Sequence, residues 1–274
     1  MNKISFIGTG TMASAMIKCI TEKGIYKPDN IMGSAPRKKR IEEIKERFNV
    51  NMTNDNREAA QFGDIVVLSI KPQVFPKVAS EIKDSLKENQ IVLSIMAGVD
   101  IKSLQTELLH KKVVRVMPNT PAQIGEGMSV WTATKEVSPE EKEKIKEILA
   151  SMGKELFVED EGYIDMATAL SATGPAYVFL FLEAMISAGV HLGFSRRVSK
   201  ELVYQTALGS VLFAINSSKH TAELRDMVTS PGGTTAEALY ELEKGGMRTV
   251  IEKAIYAAYK RTQYLKKVAE EKKK

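Results

Sequence analysis

Apolar positions up to residue 161 fall into short runs, and most of the stretches between them carry helical spacing. The runs at residues 4–7, 30–34, 64–70, 91–95, 113–117 and 128–133 predict strands. A weaker strand is predicted at 50–52 and a last one at 155–158. Helical patterns at 12–20, 37–47 and 74–85 alternate with the first of these. Ser138-Pro139-Glu140-Glu141 opens another helix, ending near Gly153, because it supplies a hydroxyl cap, a proline in the first turn and two early carboxylates. Strand and helix in alternation is the pattern of an α/β protein with a mostly parallel sheet.

The pattern changes from Gly162 onward. No convincing strand follows, only helical stretches broken at Gly174-Pro175, at Gly193 and at Ser230-Pro231-Gly232-Gly233. A boundary near Glu161 is predicted, with an α/β domain over 1–161 and an all-helical C-terminal domain over 162–274. The run 176–194 is apolar enough to raise the question of a membrane. Glu183 near its middle and His191 near its end are costly in lipid, and the Pro and Ser/Thr residues just before it resemble a soluble helix start. The expectation is a buried helix of a soluble protein at a subunit interface, since so small a domain cannot cover it within one chain. That points to a homo-oligomer.

Composition narrows the class. Of 274 residues, 43% are apolar and 27% charged, the balance of a soluble globular protein. The net charge of +5 does not imply a nucleic-acid partner, because Lys and Glu are interleaved and several lysines sit in the tail 266–274, read as a solvated helix end. A single cysteine, Cys19, excludes a disulfide framework. His110, His191 and His220 have no ligand-like spacing, so no metal site is predicted and the three are assigned structural or surface roles. The first apolar run is a four-residue strand rather than a signal peptide, and a cytoplasmic protein is expected.

Chemistry concentrates first at Ile7-Gly8-Thr9-Gly10-Thr11-Met12-Ala13, between the first strand and the first helix. This G-x-G-x-x-A in strand–turn–helix context points to a Rossmann-like dinucleotide site. Gly8 allows the tight turn, Gly10 leaves room for a pyrophosphate, and Ala13 lets helix pack on strand. The free amides and the helix dipole then face the phosphates. The second strand ends Ile31-Met32-Gly33-Ser34 without the carboxylate that would hold an NAD ribose, and Ala35-Pro36-Arg37-Lys38-Lys39-Arg40 follows. A hydroxyl and nearby cations suit a 2′-phosphate, so NADPH is favoured over NADH, although some of Lys38 to Arg40 fit a solvated helix face. Ser69-Ile70-Lys71-Pro72, Ala97-Gly98 and Met117-Pro118-Asn119-Thr120-Pro121 end other strands on the side where such sheets bind ligands.

A second stretch, Asp226 to Glu237, places four hydroxyls (Thr229, Ser230, Thr234, Thr235) around Gly232 and Gly233 at a helix start. Amides and hydroxyls there suit a small carboxylate, and they exceed what capping requires. Leu224 through Leu239, L-R-D-M-V-T-S-P-G-G-T-T-A-E-A-L, resembles the signature of pyrroline-5-carboxylate reductases. Leu170 to Tyr177 resembles the same family's S-G-S-G-P-A-Y element, with Ala172-Thr173 in place of Gly-Ser. Lys71-Pro72, Ala97-Gly98-Val99, Asn119-Thr120-Pro121, Glu126-Gly127 and Gly245-Gly246-Met247-Arg248 match in order, so the resemblance runs from Lys3 to about Leu265.

That resemblance implies reduction of Δ1-pyrroline-5-carboxylate, a cyclic imine carboxylate, to L-proline with NADPH or NADH. It places the cofactor at Ile7 to Met12, Ser34, Asn56, Ser69 to Pro72 and Ala97-Gly98. It places the substrate carboxylate and ring nitrogen at Ser230, Gly232, Gly233, Thr234 and Thr235, and implies obligate dimers through the helical domain that often assemble further into decamers. An imine bound already protonated needs no Asp, Glu or His acid, so positioning against the nicotinamide can supply much of the rate. Thr235 is then the expected donor and proton relay, and Ser230 a substrate ligand. A 3-hydroxyacid dehydrogenase would need a lysine on the first long interdomain helix, and residues 174–192 contain none. A non-catalytic NADP sensor would have no use for Thr229 to Thr235.

Overall fold

Eight strands form one sheet in the order β3-β2-β1-β4-β5-β6-β7-β8. They are β1 (Ile4–Ile7), β2 (Ile31–Ser34), β3 (Asn51–Thr53), β4 (Ile65–Leu68), β5 (Ile91–Ser94), β6 (Val113–Met117), β7 (Gly127–Ala133) and β8 (Gly153–Phe157). This computed structural model describes residues 1–271; the last three positions of the lysine-rich tail lie outside the described residues. Strands β1 to β6 run parallel, β7 is antiparallel to β6, and β8 is parallel to β7. The reversal follows from the link at 118–126, a 3-10 turn over Thr120–Ile124 closed by Gly125 at φ 79°, which is too short for a crossover helix.

Helices α1 (Thr11–Glu22), α2 (Lys38–Phe48), α3 (Asn56–Phe62), α4 (Phe75–Ile82), α5 (Ile101–Leu108) and α6 (Pro139–Ala150) connect the strands. One core cluster packs α1 and α6 residues such as Met16, Ile17, Ile145 and Ile148 on Phe6, Val67 and Leu93. The other packs α3, α4 and α5 residues (Ala59, Ala79, Leu104) on Ile7, Leu68 and Val92. Both faces are covered, which is why the central strands read as continuous apolar runs rather than alternating ones. The expected cap of α6 is present as a capping box: the Glu141 amide donates to Ser138 Oγ at 3.3 Å, and the Ser138 amide donates to Glu141 Oε2 at 2.8 Å.

The remaining elements are α7 (Gly162–Ala167), a π-helical turn over Thr168–Ala172, α8 (Gly174–His191), α9 (Arg196–Asn216), α10 (Thr221–Met227), α11 (Thr234–Lys244) and α12 (Met247–Glu271). Contacts divide the chain into two compact units, residues 1–173 with 258 onward, and Gly174–Ala257. The division falls at Thr173 and not at 161 because Ile164 of α7 is fully buried with Met117 and Val130 at the end of the sheet. As the sequence implied for so small a domain, the apolar run is not covered within one chain: no residue of α8 is buried, and Phe179 and Leu180 are 63% and 68% exposed. A unit of this size has too little chain to wrap it. Gly162–His191 is long and apolar enough, by length and composition, to cross a bilayer.

Candidate active site

The loop from β1 into α1 sits where the sheet order reverses, with β2 on one side of β1 and β4 on the other. Gly8 adopts φ 87°, and a Cβ there would lie 2.7 Å from Ile70 Cγ2 and 3.1 Å from the Ser69 carbonyl oxygen. Only glycine fits that turn. Gly10 is the N-cap of α1, and a Cβ on it would meet nothing within 4 Å. No side chain caps α1, and its first turn carries no acidic residue. Ala13, in the first turn of α1, is fully buried. Thr9 is 4% exposed, and its Oγ1 has no hydrogen-bond partner among the described residues. Uncapped amides, open space at Gly10 and an orphaned buried hydroxyl fit a bound dinucleotide phosphate.

The neighbouring strand ends serve this loop. Ser69 Oγ donates to the Gly8 carbonyl at 2.6 Å, and the Gly8 amide donates to the Ser34 carbonyl at 3.2 Å. Ser34 is fully buried, and its hydroxyl donates to Asn56 Oδ1 at 2.7 Å. Asn56 in turn donates to Glu81 Oε2 at 2.8 Å. Thus Ile7 to Ala13, Ser34, Asn56, Ser69 and Ile70 are brought together. A cavity of about 300 Å³ opens beside them, lined by Thr9, Gly10, Ala35, Pro36, Arg37, Lys39, Arg40 and Glu43. Three cations around one cavity next to the glycine loop suit a phosphate more than a bare ribose. Lys71 is exposed and precedes a 3-10 turn that Pro72 opens. Ala97 is exposed beyond β5, and Gly98 turns at φ 72°.

Sequence reasoning missed two clusters here. Arg40 donates from Nε to the Thr9 carbonyl at 2.8 Å and from Nη2 to Ser14 Oγ at 2.8 Å. Arg115, buried in β6, bonds Glu161 Oε1 and Asp165 Oδ1, each at 2.7 Å. Glu161 Oε1 also accepts the Ile101 amide at 2.9 Å, while Lys266 lies 3.7 Å from Asp100 and 3.8 Å from Asp165. Asp100 caps α5 through the Ser103 amide at 2.8 Å. Burial pushes its carboxyl up, but the Ser103 hydrogen bonds, Lys266 and Arg115 outweigh this and hold it below the usual carboxylate range. The chain just after Ala97-Gly98 is thereby pinned to α7 and to the end of α12. An arginine inside the apolar run 113–117 was the available signal.

In the helical unit, residues 230–235 form a turn that leads into α11. Gly232 adopts φ 67°, and the Gly233 amide donates to the Ser230 carbonyl at 3.1 Å. A Cβ on Gly233 would strike Ser230 Oγ. Gly233 is the N-cap of α11, and no side chain caps that helix. The hydroxyls of Ser230, Thr234 and Thr235 therefore do not serve the capping role that would otherwise explain them. Ser230 and Thr234 are exposed and Thr235 is half-buried. Among the histidines, His220 caps α10 through the Ala222 amide at 3.2 Å, and buried His110 Nε2 lies 2.8 Å from the Gln90 carbonyl. Burial pushes the Cys19 thiol up, as suits an inert packed cysteine. No cluster of metal-ligating side chains occurs among the described residues.

Two protein-family models match. One, described as pyrroline-5-carboxylate reductase dimerisation, covers residues 161–265. The other, described as NADP oxidoreductase coenzyme F420-dependent, covers residues 3–98. The chain is similar to the pyrroline-5-carboxylate reductase of Pseudomonas aeruginosa, 39% identical over 95% of each chain. It is also similar to that of Arabidopsis thaliana, 36% identical over 96% of this chain and 95% of the relative. Its structure resembles Plasmodium falciparum pyrroline carboxylate reductase with NADP bound, at a TM-score of 0.89 and 36% identity, over 96% of this chain and 98% of that one. Mycobacterium tuberculosis 3-hydroxyisobutyrate dehydrogenase matches at a TM-score of 0.51 and 14% identity over 71% and 67% of the chains, a likeness of fold alone.

Proposed function

The chain belongs to the pyrroline-5-carboxylate reductase family, and from that premise we propose that it reduces Δ1-pyrroline-5-carboxylate to L-proline by hydride transfer from NAD(P)H. The observation that carries this reading is the turn at 230–235, whose hydroxyls and glycines open α11 without capping it. Its amides and the Ser230 and Thr234 hydroxyls hold the substrate carboxylate, and the Thr235 hydroxyl bonds the ring nitrogen, accepting its N–H while the imine is protonated. The reduced nicotinamide, when bound, supplies the hydride that the imine carbon accepts. The protein orients that carbon and keeps the nitrogen protonated, which requires no carboxylic acid. Absence of lysine from α8 speaks against the hydroxyacid alternative.

NADPH is the preferred cofactor in this proposal. The glycine loop from Ile7 to Ala13 takes the pyrophosphate, Asn56 flanks the ribose with Ser34 buried behind it, and Arg37 meets the 2′-phosphate. Ser69 to Pro72 and Ala97-Gly98 line the nicotinamide side. The unit over residues 1–173 serves the cofactor, and Gly174–Ala257 serves substrate and assembly. The protein is a homo-oligomer; the exposed α8 is read as meeting a second copy rather than lipid or nucleic acid, in a dimer that builds toward a decamer in the cytoplasm.

The deciding assay follows reduced-nicotinamide absorbance on mixing protein with Δ1-pyrroline-5-carboxylate, NADPH and NADH side by side, with a 3-keto acid as control. Turnover with the imine alone is expected; turnover with the keto acid alone would reverse the assignment. Thr235→Val is expected to lower kcat about tenfold, the worth of one good hydrogen bond, with NADPH affinity unchanged. Ser230→Ala is expected to raise the substrate KM instead. Unchanged kinetics in either variant would remove that residue from its role.

A further inference from the structure

Arg40 belongs to the basic run beside the cavity, yet its guanidinium is committed to the protein. Besides its bonds to the Thr9 carbonyl and to Ser14 Oγ, Nη1 meets Glu43 at 3.1 Å. Ser14 Oγ passes the link on, donating to the Gly10 carbonyl at 2.9 Å. Both carbonyls of the turn into α1 are thus held from one side, directly or through one hydroxyl. In a planar trans peptide the C=O and the following N–H point in opposite directions. Fixing the Thr9 carbonyl therefore fixes the Gly10 amide, and fixing the Gly10 carbonyl fixes the Thr11 amide. These amides belong to the uncapped start of α1, where a diphosphate would bind.

We propose that Arg40 is a positioning residue for the diphosphate cradle rather than a reader of the 2′-phosphate. It reaches from the start of α2 to hold the glycine-loop carbonyls away from the ligand, so that the amides of Gly10 and Thr11 are presented to it. The proposal rests on the NAD(P)H reading above. Its consequence separates it from a plain charge effect. The diphosphate is common to NADPH and NADH, so removing Arg40 weakens both cofactors equally. Arg37, exposed on the same cavity, acts on the 2′-phosphate and discriminates between them.

The test is equilibrium binding of NADPH and of NADH to the full chain, read by fluorescence titration, with the urea midpoint of each variant measured alongside. Arg40→Gln is expected to raise both dissociation constants by about tenfold, the scale of a lost charge-assisted hydrogen bond, leaving their ratio unchanged. Arg40→Lys keeps the charge but cannot bridge two acceptors with a planar fork, and should remain weakened toward both. Arg37→Gln should raise the NADPH constant alone. If Arg40→Gln fails to fold, Ser14→Ala breaks the same relay more gently and should show the same equal loss. A loss confined to NADPH in Arg40→Gln, its rescue by Arg40→Lys, or no loss for either cofactor would overturn the proposal. Wild-type protein that binds neither cofactor would instead overturn the NAD(P)H reading, and this inference with it.

Discussion

Gly8 and Gly10 stand two residues apart and do opposite jobs. Gly8 is needed by the fold: its φ of 87° and the 2.7 Å approach of Ile70 Cγ2 leave no room for a side chain. Gly10 is surrounded by open space. Gly8→Ala is expected to cost about 1–2 kcal/mol of stability from the left-handed backbone alone, read as a lower urea midpoint. Gly10→Ala should lower the midpoint less and still weaken NADPH in titration, because its methyl enters ligand space. Equal loss of stability in both would refute the division. The glycine loop was legible in the sequence because its spacing is local. Arg40 and Arg115 were not, since Arg40 bonds residues 31 and 26 positions away and Arg115 residues 46 and 50 positions away. No helical or strand period reaches that far.

At the scale of elements, the sheet strands were legible because buried parallel strands are written as continuous apolar runs. The short helices α3 and α5 were not, having seven and eight residues, too few for a period to stand out. Their caps were the usable signal: Asp55 accepts the Arg57 amide, and Asp100 accepts the Ser103 amide. Asp100 also makes α5 sensitive to pH. Its folded pKa is depressed, so its contribution is complete above the unfolded carboxylate value of about 4 and is lost as pH falls through the folded value. Urea midpoints measured from pH 6 downward should fall more steeply for wild type than for Asp100→Asn. Parallel curves would show that Asp100 contributes nothing to the pH dependence.

For the whole molecule, the exposed apolar helices are the dominant fact. Leu180 in α8 and Ile215 in α9 are 68% and 60% exposed, and the dimerisation family model spans this region. Apolar surface of this extent marks an assembly face. Sedimentation should give a mass of at least two chains, and Leu180→Asp should lower that mass. An unchanged mass in the variant would place the subunit contact away from α8. The run was legible as too apolar for its domain, but which side of it stays uncovered depended on how α8 and α9 pair in three dimensions.

By itself the sequence determined the alternation of strand and helix, the glycine turn and the hydroxyl-rich start of α11, because each is encoded within a few consecutive residues. Tertiary structure alone decided the strand order that places β1 between β2 and β4, the turning of Ser34 inward to Asn56, and the folding of Arg40 back over the glycine loop. It also decided the joining of Asp100, Arg115, Asp165 and Lys266 into one charged cluster. Local pattern records which face of an element is apolar. Which distant groups meet is settled only when those faces pack and every buried charge has to find its partner.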